Sequence, residues 1–581
     1  MTIQSPRTIG FAAFAAVFGL ALVMRFAALG AAPLTELEAN QALQAHDIAT
    51  GVVASTGDQP AYVLLTALNF ALIGGSTNFL ARFWPAVLGS LFVLLPYALR
   101  ENLGRVPALL LALALAVAPE FVTLSRFASG IMLGIVLPLF ALLAWHRGST
   151  MLAGVLAAFA LLSEPTLFVG LLSLALAWLL LRVVDRSGEM HHWATESIRD
   201  FFRKVDAGPA WMAFGATLAF GVTVFLSTPC GFSGIGSGLA GFVTAWFKPA
   251  RIPASYLLLG LLGYSLPAIF LGGIATFRAW KENDRVGRVL AVWAIAGLIV
   301  IFLYPGRQVH HLLWVSLPLW TLVARELASA LYLPVENRPA VFGASLLFLL
   351  VSVIVIIQLS GAAGFEPGTE PFTGRLAIAG IALLVGALAL VLIALGWSGS
   401  AASQSARWTL GVLAFFLAFT FSSRIQNRSF PPDNTLLTPG TAAGQTDLLL
   451  STLTDLSIQN TGQANTLEIL SESRSFSLRW ALRNWPLFAS GGVLASGAQP
   501  AIILTDGLDQ PPALPVAYRG QDFVWTQSPS WTGDWPDNLI AWLLFRQAPV
   551  GQSELGLWAR ADLFPGVDQS EIEVLDEGPT Q

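Results

Sequence analysis

Long apolar runs recur along the chain from residue 9 to residue 424, and short polar segments separate them. A helix needs about 20 apolar residues to cross a bilayer, so this pattern predicts about thirteen transmembrane helices. The predicted spans are residues 9–30, 80–99, 106–122, 127–145, 150–163, 166–184, 210–228, 254–277, 287–304, 309–331, 339–360, 374–396 and 407–424. We therefore predict that residues 1–424 form an all-α polytopic membrane domain.

Two apolar segments do not fit simple spans. The run from Met151 to Val184 is too long for one span and too short for two with a loop. Pro165 breaks a helix and Glu164 is costly in lipid, so we predict two short helices that meet at a turn near the outer face. Residues 61–73 are apolar but too short to span, which favours an interfacial or re-entrant helix.

The pattern changes after residue 424. Residues 425–444 contain Pro431-Pro432-Asp433-Asn434 and read as a linker. Residues 445–568 mix a predicted amphipathic helix at 446–459 with strand-like runs such as 501–504, which predicts a small α/β domain. The remaining residues, 569–581, form an acidic tail.

Positive charge is unevenly distributed between the predicted loops, and Lys and Arg favour the cytoplasmic side. With the N-terminus inside, the cytoplasmic loops contain Arg7, Arg100, Arg105, Arg147, Arg182, Arg186, Arg199, Arg203, Lys204, Arg278, Lys281, Arg285, Arg288, Arg325, Arg338 and Arg407. The opposite loops contain only Arg82, Arg126, Lys248, Arg251, Arg307 and Arg375. An odd number of spans then places the C-terminal domain outside the plasma membrane.

The amino-acid composition excludes several classes of function. Only 11% of the residues are charged, against about 25% in soluble proteins. The single cysteine, Cys230, excludes an intramolecular disulfide and a cysteine-based metal site. No phosphate-binding loop, dinucleotide motif, zinc spacing or nucleic-acid module is present, so we expect no cofactor and no nucleic-acid partner.

The first predicted outer loop, residues 31–61, is the strongest candidate for chemistry. It contains Glu36, Glu38, Asp47 and Asp58, and between Pro33 and Pro60 it has no Lys or Arg. Acidic residues without counter-charges beside a membrane are unusual in a simple connection. The alternative is that they are solvated loop acids, because loops are normally polar.

The order of motifs around this loop resembles a known family. Glu-Ala-x-x-Ala-Leu-x-Ala runs from Glu38 to Ala45, Gln59-Pro60 begins an apolar helix, residues 79–86 open the second span, and Ser125-Arg126 precedes the fourth. This resembles the family 39 membrane glycosyltransferases of the GT-C fold, which include protein O-mannosyltransferases and aminoarabinose transferases. It is closer still to the prokaryotic branch described as flippase-associated.

The resemblance implies a sugar donor on polyprenyl phosphate and an acidic base in the first loop. Glu38 takes the place of the family's Glu, but Leu37 stands where the preceding Asp is found, and Glu36 lies one residue further back. Gly130 stands in a segment where a second acid is often found, and Glu164 replaces a basic residue. The implied acceptor is a glycan, a lipid or a protein.

Transfer also needs positive charge to stabilise the leaving phosphate. The candidates are Arg82, Arg126, Arg307, His310 and His311, all at predicted outer ends of spans. Each could instead extend toward lipid headgroups. Adjacent histidines point in different directions on a helix, so we expect no metal at His310 and His311.

Three functions remain open from the sequence. The first is a membrane glycosyltransferase with Glu38 as base and Glu36 as its partner or substitute. The second is a non-catalytic relative that binds lipid-linked glycans and assists their export or assembly, which the missing Asp favours. The third is a secondary transporter, against which stand the scarce intramembrane charge and the lack of an internal repeat.

The tryptophans of the C-terminal domain could stack on sugars or pack a small core.

Overall fold

The structure is a computed structural model that describes residues 6–52, 56–184, 189–203, 206–222, 232–250, 252–331, 338–426, 436–437, 442–491, 499–508, 516–530, 535–547 and 549–564. The chain divides into two units. The first comprises residues 1–30, 47–439 and 531–548, and the second comprises residues 31–46, 440–530 and 549–581. The predicted tail 569–581 and most of the predicted linker 425–444 lie outside the described residues. Chain order alone did not indicate that residues 31–46 group with the C-terminal sheet.

Helices make up the first unit. Up to residue 222 they are α1 (Pro6–Phe26), α2 (Glu36–Ala49, whose first residues belong to the second unit), α3 (Pro60–Ile73), α4 (Asn78–Phe92), α5 (Leu95–Ala98), α6 (Arg100–Leu103), α7 (Arg105–Val117), α8 (Pro119–Ser125), α9 (Ile131–His146), α10 (Thr150–Leu161), α11 (Thr166–Val184), α12 (Glu189–Arg203) and α13 (Gly208–Val222). Beyond it they are α14 (Phe232–Ala245), α15 (Ala254–Tyr264), α16 (Leu266–Lys281), α17 (Arg285–Leu303), a 3-10 turn (Val309–Leu312), α18 (Leu313–Ala330), α19 (Arg338–Ala362), α20 (Glu370–Gly396) and α21 (Gly399–Gln426).

The expected count of thirteen spans is not confirmed. Among the described residues, six helices are long and apolar enough to cross a bilayer, and the number rises to eight if two bent pairs each count as one span. Several predicted spans correspond to apolar helices of less than bilayer length, such as α9 and α10. Hydrophobicity alone cannot separate a short buried helix from a span, because both are apolar on all sides. A multi-pass membrane protein is still what these helices indicate.

The bends in the two broken pairs occur at prolines. α7 and α8 meet at 55° beside Pro119, and α15 and α16 meet at 85° beside Pro267. Proline has no N–H to continue the helical ladder, so each helix ends and the next one begins in a new direction. The predicted turn between α10 and α11, at Glu164 and Pro165, is present as well.

A mixed six-stranded sheet organises the second unit. Its strands are β1 (Ala442–Ala443), β2 (Ile469–Ser471), β3 (Phe488–Ser490), β4 (Ile502–Thr505), β5 (Tyr518–Pro529) and β6 (Val550–Arg560), in the order β1-β5-β6-β4-β2-β3. β2 pairs in parallel with β3 and β4, and the other pairs are antiparallel. The helices α22 (Thr446–Thr461) and α23 (Phe476–Ala481) complete the unit, while α24 (Leu539–Phe545) belongs to the first one. The expected small α/β domain is confirmed.

The core of this sheet domain is apolar and includes two of the tryptophans. Leu449 and Leu453 of α22 pack with the fully buried β4 and with Trp485 and Trp525. These two indoles therefore stabilise the domain by burial.

Candidate functional site

Glu38 lies at the start of α2 and takes part in a capping box. Its carboxylate Oε2 accepts a hydrogen bond from the Thr35 backbone N–H at 3.0 Å, and the Thr35 hydroxyl accepts one from the Glu38 N–H at 3.4 Å. This reciprocal pair satisfies N–H groups that a helix start leaves without partners. The Glu38 side chain is buried, and the contact gives it a structural role alongside any catalytic one.

Glu36 points in a different direction from Glu38 and contacts the start of α23. Its carboxylate accepts hydrogen bonds from the hydroxyls of Ser475 and Ser477 and, at 2.8 Å, from the Phe476 N–H. The Trp525 indole donates to both hydroxyls at 3.1 Å. All of these residues belong to the second unit. Glu36 therefore anchors the first loop to the sheet domain.

Arg126 and Arg82 both bind carbonyl groups near the end of α1. Arg126 Nη1 donates to the carbonyls of Arg25 at 2.9 Å and Ala27 at 2.8 Å, and Arg82 Nη1 donates to that of Leu29 at 3.2 Å. The last carbonyls of a helix have no partner within it, so these contacts stabilise the exit of the chain toward the first loop. Arg126 Nε makes no hydrogen bond among the described residues, so its N–H is available to a ligand.

Arg307 lies in the segment 304–311 between α17 and α18. Its Nε donates to the Ile252 carbonyl at 2.8 Å and its Nη1 to the Phe302 carbonyl at 2.9 Å. These contacts hold the segment in place after α17 ends. Two of the three guanidinium nitrogens of Arg307 are thus occupied by backbone.

A polar cavity of about 310 Å³ lies next to this segment, within the first unit. The lining includes Asp58, Glu164, Lys248, Tyr304 and His311. Glu164 comes from the turn between α10 and α11, Lys248 follows α14, and Asp58 precedes α3. The tertiary structure thus brings together four segments that are far apart in sequence.

Glu164 is the nearly buried acid of this cavity. Its Oε2 accepts a hydrogen bond from the Thr166 N–H at 2.9 Å, and its Oε1 lies 3.6 Å from His310 Nε2, the distance of an ion pair with a protonated imidazole. Burial by itself raises the pKa of Glu164, but the contacts with His310, His311 and Thr166 together outweigh burial and the pKa falls to about 2. The side chain is therefore a carboxylate at any physiological pH.

His310 and His311 are both buried but differ in their contacts. His311 Nδ1 accepts a hydrogen bond from the Gln308 N–H at 3.2 Å, which places the ring proton on Nε2. Burial, together with neighbouring His310, lowers the pKa of His311 to about 3, so the ring is neutral. Neither nitrogen of His310 has a hydrogen-bond partner in the described part of the chain.

Sequence reasoning did not single out Glu120, a buried acid of α8. Its Oε1 accepts hydrogen bonds from Trp320 Nε1 at 2.8 Å and Ser265 Oγ at 3.1 Å, and its Oε2 has no hydrogen-bond partner among the described residues. The available signal was an acid beside Pro119 inside an apolar run, since charged residues are rare there. Glu120 connects the two bent helix pairs, because Ser265 lies at the α15–α16 bend.

The sequence candidates thus fall into three groups. Glu36 and Glu38 belong to the second unit, while Arg82 and Arg126 share the end of α1. His311 lines the cavity, and Arg307 and His310 belong to the same segment without lining it.

Comparisons with known proteins agree with this architecture. Residues 42–199 match the model of the dolichyl-phosphate-mannose-protein mannosyltransferase family. No curated protein sequence is similar enough to count as a match. The crystal structure of ArnT from Cupriavidus metallidurans bound to undecaprenyl phosphate is similar with a TM-score of 0.53 and 15% identity, over 85% of this chain and 92% of that one. Its apo form gives 0.50 and 17%, over 86% and 94%.

Identities this low establish the fold alone. The helical first unit with its appended sheet domain agrees with that likeness, which extends over most of both chains. This protein therefore has the fold of the GT-C membrane glycosyltransferases, and the family 39-like resemblance of its sequence is confirmed.

Proposed function

We propose that this protein is a membrane glycosyltransferase that moves a sugar from a polyprenyl-phosphate donor to an acceptor on the outer face of the membrane. The observation that carries the proposal is the likeness of the fold to that of ArnT, which extends over 85% of this chain. The similar ArnT structure contains undecaprenyl phosphate, and the matching family is named for a dolichyl-phosphate sugar. Both names support a lipid-phosphate donor. The donor sugar and the acceptor are left open.

In this proposal Glu38 takes the proton from the acceptor, and Arg82 and Arg126 contact the donor phosphate. A carboxylate is a suitable general base, and guanidinium groups bind phosphate well. Arg126 can hold the end of α1 through Nη1 and offer its Nε–H to the phosphate. Glu36 supports the loop through its contacts with α23.

Because Glu38 belongs to the capping box, Glu38→Gln can separate its structural role from its proposed role as the base. Glutamine keeps an oxygen that can accept the Thr35 N–H, so the helix start is retained while the base is lost. Purified protein in lipid would be given a panel of labelled polyprenyl-phosphate sugars, and release of the free lipid phosphate would be measured. We expect wild-type protein to release it and Glu38→Gln to lose at least about a hundredfold in rate, the usual contribution of a general base.

Melting temperature is the control for this experiment, and we expect it to be the same for both proteins. Full release by Glu38→Gln would exclude Glu38 as the base. Binding of the donor without release by the wild type would favour the second function, a non-catalytic protein that holds lipid-linked glycans. The replacement of Asp by Leu37 is the observation on the side of that alternative.

A further inference from the structure

The cavity beside the segment 304–311 offers no excess of positive charge to a phosphate. Its lining contains two carboxylates, Asp58 and Glu164, and one ammonium group, Lys248. His311 adds no charge, because burial keeps its pKa at about 3. Arg307, one of the arginines that the sequence offers for phosphate binding, does not line the cavity. Glu164 already pairs with His310 at 3.6 Å, so a donor phosphate placed here would compete with this carboxylate for positive charge.

The same groups suit a ligand rich in hydroxyls. The Glu164 carboxylate is a strong acceptor, and its pairing with His310 leaves it ionised. The neutral His311 ring carries its proton on Nε2, so it can donate. Hydrogen bonds to a charged partner are stronger than those between neutral groups. A polyol requires hydrogen-bond acceptors and donors around one binding space, and Glu164 and His311 provide both.

One wall of the cavity is aromatic. The Tyr304 ring lies 5.0 Å from that of Phe242 and 5.2 Å from that of Trp246, between ring centroids. Tyr304 and Phe242 both line the cavity. An aromatic wall offers an apolar face to the C–H groups of a sugar ring, and it offers nothing to a phosphate.

Gly306 keeps this space open. A Cβ atom at this position would lie 2.6 Å from the Tyr304 ring and 2.7 Å from Ala245 Cβ, too close for either to stay in place. The cavity of about 310 Å³ is at the small end of ligand sites, which span about 300–1,000 Å³. It suits one ring better than a long isoprenoid chain.

We propose that this cavity binds the sugar ring of the donor, uncharged or amine-bearing, with the Glu164 carboxylate accepting hydrogen bonds from it. The inference rests on the proposed function and adds to it the class of sugar and the residue that recognises it. An anionic sugar such as a uronic acid should bind more weakly, because its carboxylate would compete with Glu164 for the same positive charge.

Binding of two kinds of probe, a bare lipid phosphate and sugar-bearing lipid phosphates, separates sugar recognition from phosphate recognition. The probes are undecaprenyl phosphate alone and undecaprenyl phosphate carrying mannose, aminoarabinose or glucuronic acid, offered to purified full-length protein in lipid nanodiscs. We expect Glu164→Gln to weaken binding of the best sugar-bearing lipid by about tenfold, which corresponds to 1.4 kcal/mol, and to leave the bare lipid phosphate unchanged. Wild-type protein should bind the glucuronic acid lipid most weakly of the three.

Two further variants keep the result interpretable. Gly306→Ala retains the carboxylate but forces the Tyr304 ring in the cavity wall to move, so it should cause the same selective loss even if Glu164→Gln is poorly folded. Glu196→Gln, an exposed acid of α12, is the matched control and should change neither probe.

The outcomes distinguish the inference from the function it rests on. If Glu164→Gln tightened binding of the bare lipid phosphate, or weakened both probes equally, the cavity would be a phosphate site or unrelated to the donor, and the inference would be overturned while the transferase proposal stood. If wild-type protein bound no sugar-bearing lipid above the bare phosphate, both proposals would fail.

Discussion

Buried charged side chains in the first unit largely serve backbone groups that helix breaks leave unpaired. Arg25 is fully buried in α1, and its Nη2 donates to the Leu115 carbonyl at 2.8 Å. In an unbroken helix that carbonyl would receive the N–H of residue 119, but residue 119 is a proline. Arg25 supplies the missing donor, so it does not extend to lipid headgroups, and Arg126 acts in the same way at the end of α1.

His311 makes the stability of the protein sensitive to acid. In the unfolded chain an imidazole binds a proton near its ordinary pKa of 6.5, whereas the pKa of His311 in the fold is about 3. Between these values the unfolded state binds more protons, so lowering the pH favours unfolding. Glu164, with a pKa lowered from 4.5 to about 2, acts in the same direction at still lower pH. We expect the melting temperature to fall between pH 7 and pH 5, and to fall less in His311→Asn.

The control for this experiment is His192→Asn, because His192 is exposed on α12. It should lose melting temperature between the two pH values as the wild type does. An unchanged pH profile in His311→Asn would show that other groups cause the acid sensitivity.

The structure gives the start of α2 a structural role that the sequence analysis did not predict. The loop that carries the two acids is fixed at one end by the Thr35–Glu38 capping box and at the other side by the contacts of Glu36 with α23. A base on a mobile loop would be poorly aligned, since misplacement by about 1 Å costs about a hundredfold in rate. The sheet domain therefore helps to set the geometry of the first loop.

Removing the Glu36 carboxylate should loosen α23. In Glu36→Ala the Phe476 N–H and the hydroxyls of Ser475 and Ser477 lose their acceptor, which costs about 1–3 kcal/mol of stability locally. We expect faster hydrogen exchange at Phe476 and Ser477, measured by mass spectrometry of peptides from this region.

Asp47→Ala, on the same helix, is the matched control and should leave exchange in α23 as it is in the wild type. Equal protection of α23 in Glu36→Ala would mean that the sheet domain holds this helix without help from the first loop.

For the whole molecule, the distribution of Lys and Arg predicts that the sheet domain is outside the cell and that the short connection after α9 is inside. Exposed Ser451 of α22 and exposed Ser149 before α10 report on the two sides. In a Cys230→Ser background, a membrane-impermeant maleimide applied to intact cells should label Ser451→Cys and leave Ser149→Cys unlabelled. Both should react after the membrane is permeabilised. Labelling in the reverse pattern would overturn the predicted orientation and the placement of the chemistry.

The amino-acid sequence is sufficient to establish the class of the molecule. Apolar runs too long and too frequent for a soluble protein specify a membrane domain, and the shift in composition after residue 424 specifies a separate α/β domain. It also located helix ends, such as the turn at Glu164 and Pro165, because proline and buried charge act locally on the backbone.

Which polar residues contact one another depends on how the elements pack. The Glu164 carboxylate and the His311 ring are about 150 residues apart in the chain, and Glu36 contacts Ser475 from a greater sequence distance still. The tertiary structure also decides how many apolar helices reach bilayer length, because a short helix inside a bundle is as apolar as one that spans. Local pattern fixes the elements, whereas the contacts between distant side chains depend on how those elements pack.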